Sequence, residues 1–252
     1  MLKKCLLLLC LAAWGFAAAA APIIGQGVTP AAEKIVRQAV TRLAAKAEVD
    51  SIRVAPLPGF YQVIAAGQMM YVSADGHYLM NGELLDLGSK RNLSKAAWAR
   101  FRKAELATVP ASRRIVFAPA HPKYTISVFT DVNCGFCREL HKHVAAFNKA
   151  GVAVEYLAWP REGVTTTSGR PTPTYTEMVS VWCAGDRRAA LAAAMAGHAP
   201  KPASCDNPVK HQFELGLKMG VNGTPTVIDA DGHILGGYVT PQQLLKALQQ
   251  GD

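Results

Sequence analysis

The sequence has little that would suit a metal site, a nucleic-acid site or a membrane protein. Among its 252 residues only one Cys-x-x-C spacing occurs, at Cys134 and Cys137. Structural zinc sites usually need a second close pair, and Cys183 and Cys205 stand far apart. Basic residues outnumber acidic ones, 27 to 18, yet they are scattered, and Arg113-Arg114 and Arg187-Arg188 are only pairs. No basic patch is interleaved with aromatics, which argues against nucleic acid as a partner. The excess positive charge reads as a soluble basic surface. Beyond the N-terminus no apolar run approaches the ~20 residues of a membrane span.

What is present begins with an export signal. Met1-Leu2-Lys3-Lys4 is followed by an apolar run from Cys5 to Phe16 and by alanines up to Ala21. A basic start, an apolar centre and a small-residue end predict a signal peptide over residues 1–20, cut near Ala20. Leu9 before Cys10 is bulky where lipoprotein signals carry a small residue, which argues against lipidation. The cut removes Cys5 and Cys10 and leaves four cysteines. An even number in an exported chain implies disulfides. The chain is 50% hydrophobic, enough for one large domain or two modest ones.

Thr29-Pro30 predicts a helix start, with Thr29 as cap and Pro30 at the first position. Ile35, Ala39, Leu43 and Ala47 then form one apolar stripe. Strands are expected at 51–54, 60–64 and 69–73, with a turn at Asp75-Gly76 and a further strand from His77. So small an α+β unit has few residues to cover its sheet, and a partner is expected. Asn92–Ala107 reads as a mostly polar spacer helix. From Arg114 onward an edge strand at 115–117 precedes a βαβ unit. A Thr-, Gly- and Pro-rich loop follows at Glu162–Thr174, then helices near 175–184, 186–195 and 208–217. A hairpin turns at Asp231-Gly232. Thr240-Pro241-Gln242-Gln243 predicts a capping box at the last helix.

The chain is organised around Thr130-Asp131-Val132-Asn133-Cys134-Gly135-Phe136-Cys137. Thr125 to Phe129 before it is β-branched and aromatic and reads as a buried strand. Glu139 to Lys149 after it has Leu140, Val144 and Phe147 at helical spacing. Cys134 therefore sits at a helix mouth, where free backbone N–H groups and the helix dipole favour a thiolate. Cys137 falls one turn further in, close enough to bond to it. This context favours redox chemistry over a zinc half-site. Cys134 is expected to be the exposed, acidic thiol and Cys137 the shielded one. His141 and His143 read as a solvated helix face rather than a general base. Glu155 on the next strand is a candidate proton acceptor.

Several segments then carry a specific resemblance. Phe-Thr-Asp before Cys-Gly-Phe-Cys, Val-Trp-Cys-Ala-Gly-Asp at 181–186, Pro-Ala-Ser-Cys-Asp at 202–206 and Gly-Val-Asn-Gly-Thr-Pro-Thr at 220–226 resemble the periplasmic thiol:disulfide isomerases of the DsbC/DsbG family. Leu57-Pro58-Gly59-Phe60-Tyr61 and Tyr71 to Gly76 resemble that family's dimerisation domain. The likeness spans nearly the whole mature chain. It departs at the Glu162–Thr174 loop, which is longer than the family's, and at Gly-Phe where Gly-Tyr is common.

The resemblance implies a cystatin-like α+β dimerisation domain at 21–91, a linker helix at 92–107 and an α/β thioredoxin-like catalytic domain at 108–252 with a helical insertion. It implies a V-shaped homodimer with both sites facing one cleft. The catalytic pair would be Cys134 and Cys137, acting with no cofactor beyond their own disulfide and no metal. Gly135, Phe136, Thr224 and Pro225 would bind substrate. A Pro after Thr224 could be cis or trans on the residues alone, and the family makes it cis. Cys183 and Cys205 are the expected structural disulfide.

The implied function is isomerisation or reduction of incorrect disulfides in misoxidised exported proteins of the periplasm. A membrane reductase of the DsbD type would keep the site reduced. Three other readings use the same features, and one of them, a periplasmic metal-binding protein with the four cysteines as ligands, would be excluded by oxidised Cys183 and Cys205. A DsbA-type oxidase shares the motif but should lack the N-terminal unit. A holdase chaperone would need the cleft but not Cys134.

Overall fold

The structure, a computed structural model, describes residues 23–250; the expected signal peptide lies outside them. The N-terminal unit opens with a two-residue strand, β1 (Ile23–Ile24), where the sequence suggested only a lead. Helix α1 (Pro30–Leu43) follows. Strands β2 (Val49–Val54), β3 (Phe60–Ala65), β4 (Gln68–Ser73) and β5 (Leu79–Asn81) complete a sheet in the order β1-β2-β3-β4-β5. Thr29 Oγ1 accepts the Ala32 amide at 3.2 Å and Pro30 takes the first helical position, as its residue types require.

The buried stripe of α1 is Ala32, Val36 and Val40, not the one expected through Ile35 and Leu43. Leu43 is exposed. An alanine-rich helix carries apolar residues on neighbouring faces, and the sheet selects the face with the β-branched pair. Val36 and Val40 pack on Ile52, Val63 and Val72. The β3–β4 turn uses Ala66 and Gly67 at φ 49° and 70°, the left-handed conformation of a two-residue hairpin. Gly67 is also where two parts of the molecule meet. A Cβ there would collide with the Leu217 carbonyl oxygen.

A small hairpin, β6 (Leu85–Asp86) with β7 (Arg91–Asn92), leads into α2 (Leu93–Ala107). Asn92 caps α2 by accepting the Lys95 amide at 2.9 Å. The expected polar spacer is in fact a wedge. Ala97, Phe101 and Leu106 are buried in one core with Ile64 and Met69 of the N-terminal sheet and Phe129, Leu157 and Met219 beyond it. Two of its charges are buried and satisfied rather than solvated. Arg102 donates to the Met219 carbonyl at 3.0 Å, and Glu105 pairs with Lys218 at 2.9 Å. The uncovered sheet face is thus partly closed within the chain. Tyr78, Leu79, Met80, Leu85 and Leu87 stay exposed at the β5 edge and the small hairpin.

Asp50 lies in the same junction, 3.8 Å from Lys218. Burial raises its pKa to about 6; Lys218 opposes the rise, and Glu105 and Glu48 add to it. Desolvation therefore outweighs the ion pair. The sign follows: a raised acid stabilises the fold most below the ordinary carboxylate range, and that contribution is lost as pH rises through about 6. Asp50→Asn should match or exceed the parent's stability at pH 7, by on the order of 2 kcal/mol at most. It should also flatten the pH dependence between about 4 and 6. Denaturant midpoints across that range check this; a loss at pH 7 would show that the ion pair dominates.

The C-terminal unit follows a short 3-10 turn at Ala111–Arg113. Its strands are β8 (Ile115–Phe117), β9 (Tyr124–Thr130), β10 (Val152–Ala158), β11 (Thr226–Asp229) and β12 (Ile234–Gly236). Helices α3 (Gly135–Lys142) and α4 (Val144–Lys149) join β9 to β10. Helices α5 (Pro173–Trp182), α6 (Arg187–Met195) and α7 (Val209–Lys218) precede β11, and α8 (Pro241–Gln250) ends the chain. The sheet order is β12-β11-β9-β10-β8, parallel only between β9 and β10.

Strand alternation sends β9 and β10 side chains to two cores. Val128, Val154 and Tyr156 face Leu140, Phe147, Met178 and Leu244. Phe129 and Leu157 face α2 and α7. The single helix expected after the motif breaks at His143, whose amide bonds back to Leu140 and His141 carbonyls instead of continuing the α pattern. At the start of α8 the capping box forms. Thr240 N donates to Gln243 Oε1 at 3.0 Å, and Gln243 N donates to Thr240 Oγ1 at 3.3 Å.

Cys183 at the end of α5 is bonded to Cys205 in the loop before α7, 22 residues on. By chain entropy a loop of this size contributes about 3 kcal/mol. Replacing both cysteines by alanine should lower the unfolding free energy by about that amount. Chemical denaturation of the two proteins, each with the redox pair reduced, measures it.

Candidate active site

Cys134 is the residue just before α3, so its sulfur faces the first, unpaired amides of that helix. Its approach is shaped by a buried carboxylate. Asp131 Oδ1 accepts the Asn133 amide at 2.7 Å, closing an Asx turn, and its backbone carbonyl accepts the Cys134 amide at 3.1 Å. Asp131 Oδ2 accepts the Arg161 amide at 2.8 Å and its Nε at 3.2 Å. Arg161 also donates to the Asn133 carbonyl at 3.1 Å. Asn133 in turn donates to Glu177 and Thr174 on α5. The turn that presents the motif is thus held from three sides.

The peptide bond from Thr224 to Pro225 is cis, and it brings Thr224 against the motif. The Cys134 thiol donates to the Thr224 carbonyl at 3.2 Å. Thr224 Oγ1 has no protein partner of normal geometry. Cys134 and Cys137 are both reduced and both buried. Cys134 is only 2% exposed, not open as its position suggested. The cis-proline loop covers it, and the exposed member of the motif is Phe136, at 66%.

The two thiols nonetheless ionise very differently. Burial works against charge on Cys134, but the adjacent Thr224 side chain and the Cys137 amide and thiol, with the Arg161 charge, bring its pKa below the ordinary thiol value. Burial dominates at Cys137 and pushes it up to about 12. One sulfur is therefore prepared as nucleophile and the other is held as a protonated reserve.

These residues fit a known family. The description "Disulfide bond isomerase protein N-terminal domain" matches residues 19–95, and "Thioredoxin-like domain" matches residues 113–252. The thiol:disulfide interchange protein DsbC of Salmonella typhimurium is 30% identical over 89% of this chain and 90% of its own. DsbC of Escherichia coli gives the same identity and coverage. This chain belongs to the DsbC family. A disulfide interchange protein of Neisseria gonorrhoeae, solved by crystallography, aligns over 56% of this chain and 97% of its own, with a TM-score of 0.49 and 27% identity. As a DsbC-family member the chain is a thiol-disulfide oxidoreductase with an isomerase-type N-terminal unit on a thioredoxin-like one.

Of the residues singled out from sequence, the motif Cys134, Gly135, Phe136 and Cys137 and the pair Thr224 and Pro225 are brought together at the Cys134–Thr224 contact, with both thiols and Pro225 buried. Glu155 does not. It lies on the opposite face of β10, paired with Arg114. His141 and His143 are half-buried rather than fully solvated, and each is beside a tyrosine hydroxyl. His143 Nε2 is 3.3 Å from Tyr238 Oη, and His141 Nδ1 is 3.0 Å from Tyr156 Oη. Asp131 and Arg161 are the functional neighbours that the sequence did not show. Asp131 left a local signal, an acidic residue two before Asn133 at a strand end. Arg161 left none, because 30 residues separate the pair. Among the described residues no cluster of three or more His, Cys, Asp or Glu could hold a metal ion.

The Arg161 charge gives a test of this electrostatic account. Arg161→Gln should move Cys134 ionisation to higher pH, since a favourable charge is lost and burial remains. Thiolate absorbance against pH reads it, and an unchanged midpoint would leave the shift to the hydrogen bonds alone.

Proposed function

We propose that this chain repairs incorrect disulfides of exported proteins in the periplasm, by isomerising or reducing them. The observation that carries the reading is the split between a nucleophilic Cys134 and a protonated Cys137 under a cis-proline loop, in a chain that also has an isomerase-type N-terminal unit.

In the proposed cycle Cys134 thiolate attacks a substrate disulfide, forms a mixed disulfide and expels one substrate thiolate. That thiolate attacks another substrate disulfide, the chain rearranges, and a substrate sulfur finally displaces Cys134. Where rearrangement stalls, Cys137 attacks Cys134, and the enzyme leaves oxidised. A membrane donor of the DsbD type then restores the dithiol. Gly135, Phe136, Thr224 and Pro225 form the contact surface. Pro225 has no amide, and the backbone beside it would pair with an extended substrate segment. No cofactor other than the Cys134–Cys137 couple is assigned.

The division of labour we assign is dimerisation to 21–91, linkage to 92–107 and catalysis to 108–252. A second copy pairs at the β5 edge and the small hairpin after it, where Tyr78, Leu79, Met80 and Leu87 are exposed. The cleft between the two sites also holds unfolded chains. Refolding of a scrambled disulfide protein, followed by recovered activity, tests the function. The wild type in a reducing buffer should restore it and Cys134→Ser should not. Equal recovery with the serine variant would overturn the catalytic reading and leave a holdase.

A further inference from the structure

One large apolar side chain at the active site is left without cover. Phe136 stands in the first turn of α3 and is 66% exposed, while Cys137 and Leu140 of the same helix are buried. Among the described residues its one ring neighbour is Tyr238, in the loop between β12 and α8. The two centroids are 6.4 Å apart and the planes are tilted by 30°, within the range of an aromatic pair. Tyr238 is half-buried and rests on the core that includes Cys134 and Cys137. Its hydroxyl lies 3.3 Å from His143 Nε2, and those two rings also stand 6.4 Å apart. His143 occupies the break between α3 and α4. Phe136, Tyr238 and His143 thus form a row of rings that starts inside the redox motif.

The row joins the Thr224–Pro225 loop rather than lying apart from it. Gly237 passes so close to that loop that a Cβ on it would stand 3.3 Å from the Pro225 carbonyl oxygen, and Tyr238 follows directly. The other neighbours of the motif are polar. Arg161 donates to the Asn133 carbonyl, and Asn133 donates to Glu177. A substrate bonded to Cys134 must lay its own chain across this turn. An extended segment advances about 3.3 Å per residue, so the side chains next to the substrate cysteine come within reach of a ring two residues from Cys134. The surface is therefore continuous with the site of attack, and its occupant is a residue of the substrate itself.

We propose that Phe136 and Tyr238 form a shelf for one apolar side chain of the substrate, best an aromatic one, beside the cysteine that Cys134 attacks. His143 is a positioning residue that holds Tyr238 in place. The shelf selects among disulfides. Apolar residues around a native disulfide are packed into a core, whereas a misoxidised chain leaves some of them outside. A surface that takes such a residue favours the wrong disulfide over the finished one. Paired rings gain more than burial of the same area alone, which places Phe, Tyr and Trp ahead of Leu as the occupant. The inference rests on the proposed cycle, in which Cys134 is the nucleophile.

Two disulfide-linked peptide dimers test it, identical except for Phe or Ser beside the cysteine. Each dimer is symmetric, so attack on either sulfur is the same event. Release of peptide thiol by the full-length reduced protein is followed, and each rate is divided by that with dithiothreitol, which removes the intrinsic reactivity of the disulfide. The parent should prefer the Phe peptide about fivefold. Tyr238→Ala should bring that ratio below about twofold. Both peptides meet the same variant, so a general loss of activity cancels in the ratio. His143→Ala should also lower the ratio, and His143→Gln, whose amide can still bond to the phenol, should restore it. A parent ratio below about twofold, or a Tyr238→Ala ratio equal to the parent's, would overturn the shelf. An unchanged ratio in His143→Ala would remove the positioning role. Failure of the parent to reduce either peptide would instead overturn the reading of Cys134 as nucleophile, and this inference with it.

Discussion

Alanine at Asp131 should destabilise the reduced protein by about 3 kcal/mol, more than any other single change at the site. The carboxylate is 1% exposed and accepts the amides of Asn133 and Arg161 and the Arg161 Nε. Each buried donor left without an acceptor costs about 1–3 kcal/mol, and two backbone amides would be stranded. The ion pair itself adds less, since the Arg161 side chain is 47% exposed and water can take its charge. Asp131→Asn should therefore recover about half of the loss, because one amide oxygen can still accept from Asn133. Denaturant midpoints of the three proteins decide this. Equal stability of the alanine variant would mean that the turn before Cys134 is held without its carboxylate.

Aspartate at both Leu79 and Leu87 should give a folded monomer that still reduces small disulfides. Its repair of scrambled proteins should fall by about tenfold or more. The two side chains are 39% and 85% exposed, so the fold itself should survive. A charge on an edge strand blocks pairing with a second copy. Reduction of a small disulfide needs one Cys134. Repair of a protein needs the substrate held through repeated exchange, which two linked sites favour. Sedimentation beside the two assays tests the claim. A dimer that survives both charges, or a monomer with full repair, would remove the role given to the β5 edge. Simple deletion of residues 21–107 is a poorer test, because it strips Ile64, Met69, Phe101 and Leu106 from a core shared with Phe129 and Leu157.

The parts of this site visible in the sequence are those written within a few residues. Cys134 and Cys137 announce themselves by spacing, Thr224-Pro225 by its turn chemistry, and Thr29, Asn92 and Thr240 by capping. What stayed hidden depends on register between distant segments. Tyr156 enters the same core as Cys137 only because β10 runs parallel to β9 with Tyr156 beside Val128. One residue of slip would have presented Glu155, the acceptor that the sequence suggested. Helix α2 misled by its composition. Charged side chains with long apolar stems can enter a core when their heads find partners, as Arg102 and Glu105 do. Cys134 was expected to be open because helix mouths usually are. The loop at Thr224, 90 residues away, closes over it.

The bond between Cys183 and Cys205 makes this chain a client before it is an enzyme. Its four cysteines outside the expected signal can be fully paired in three ways, and only one of them joins Cys183 to Cys205. The other two tie Cys134 to a partner in or beyond α5 and leave no free nucleophile. A newly made copy therefore faces the same sorting error that the proposed activity would undo in other proteins.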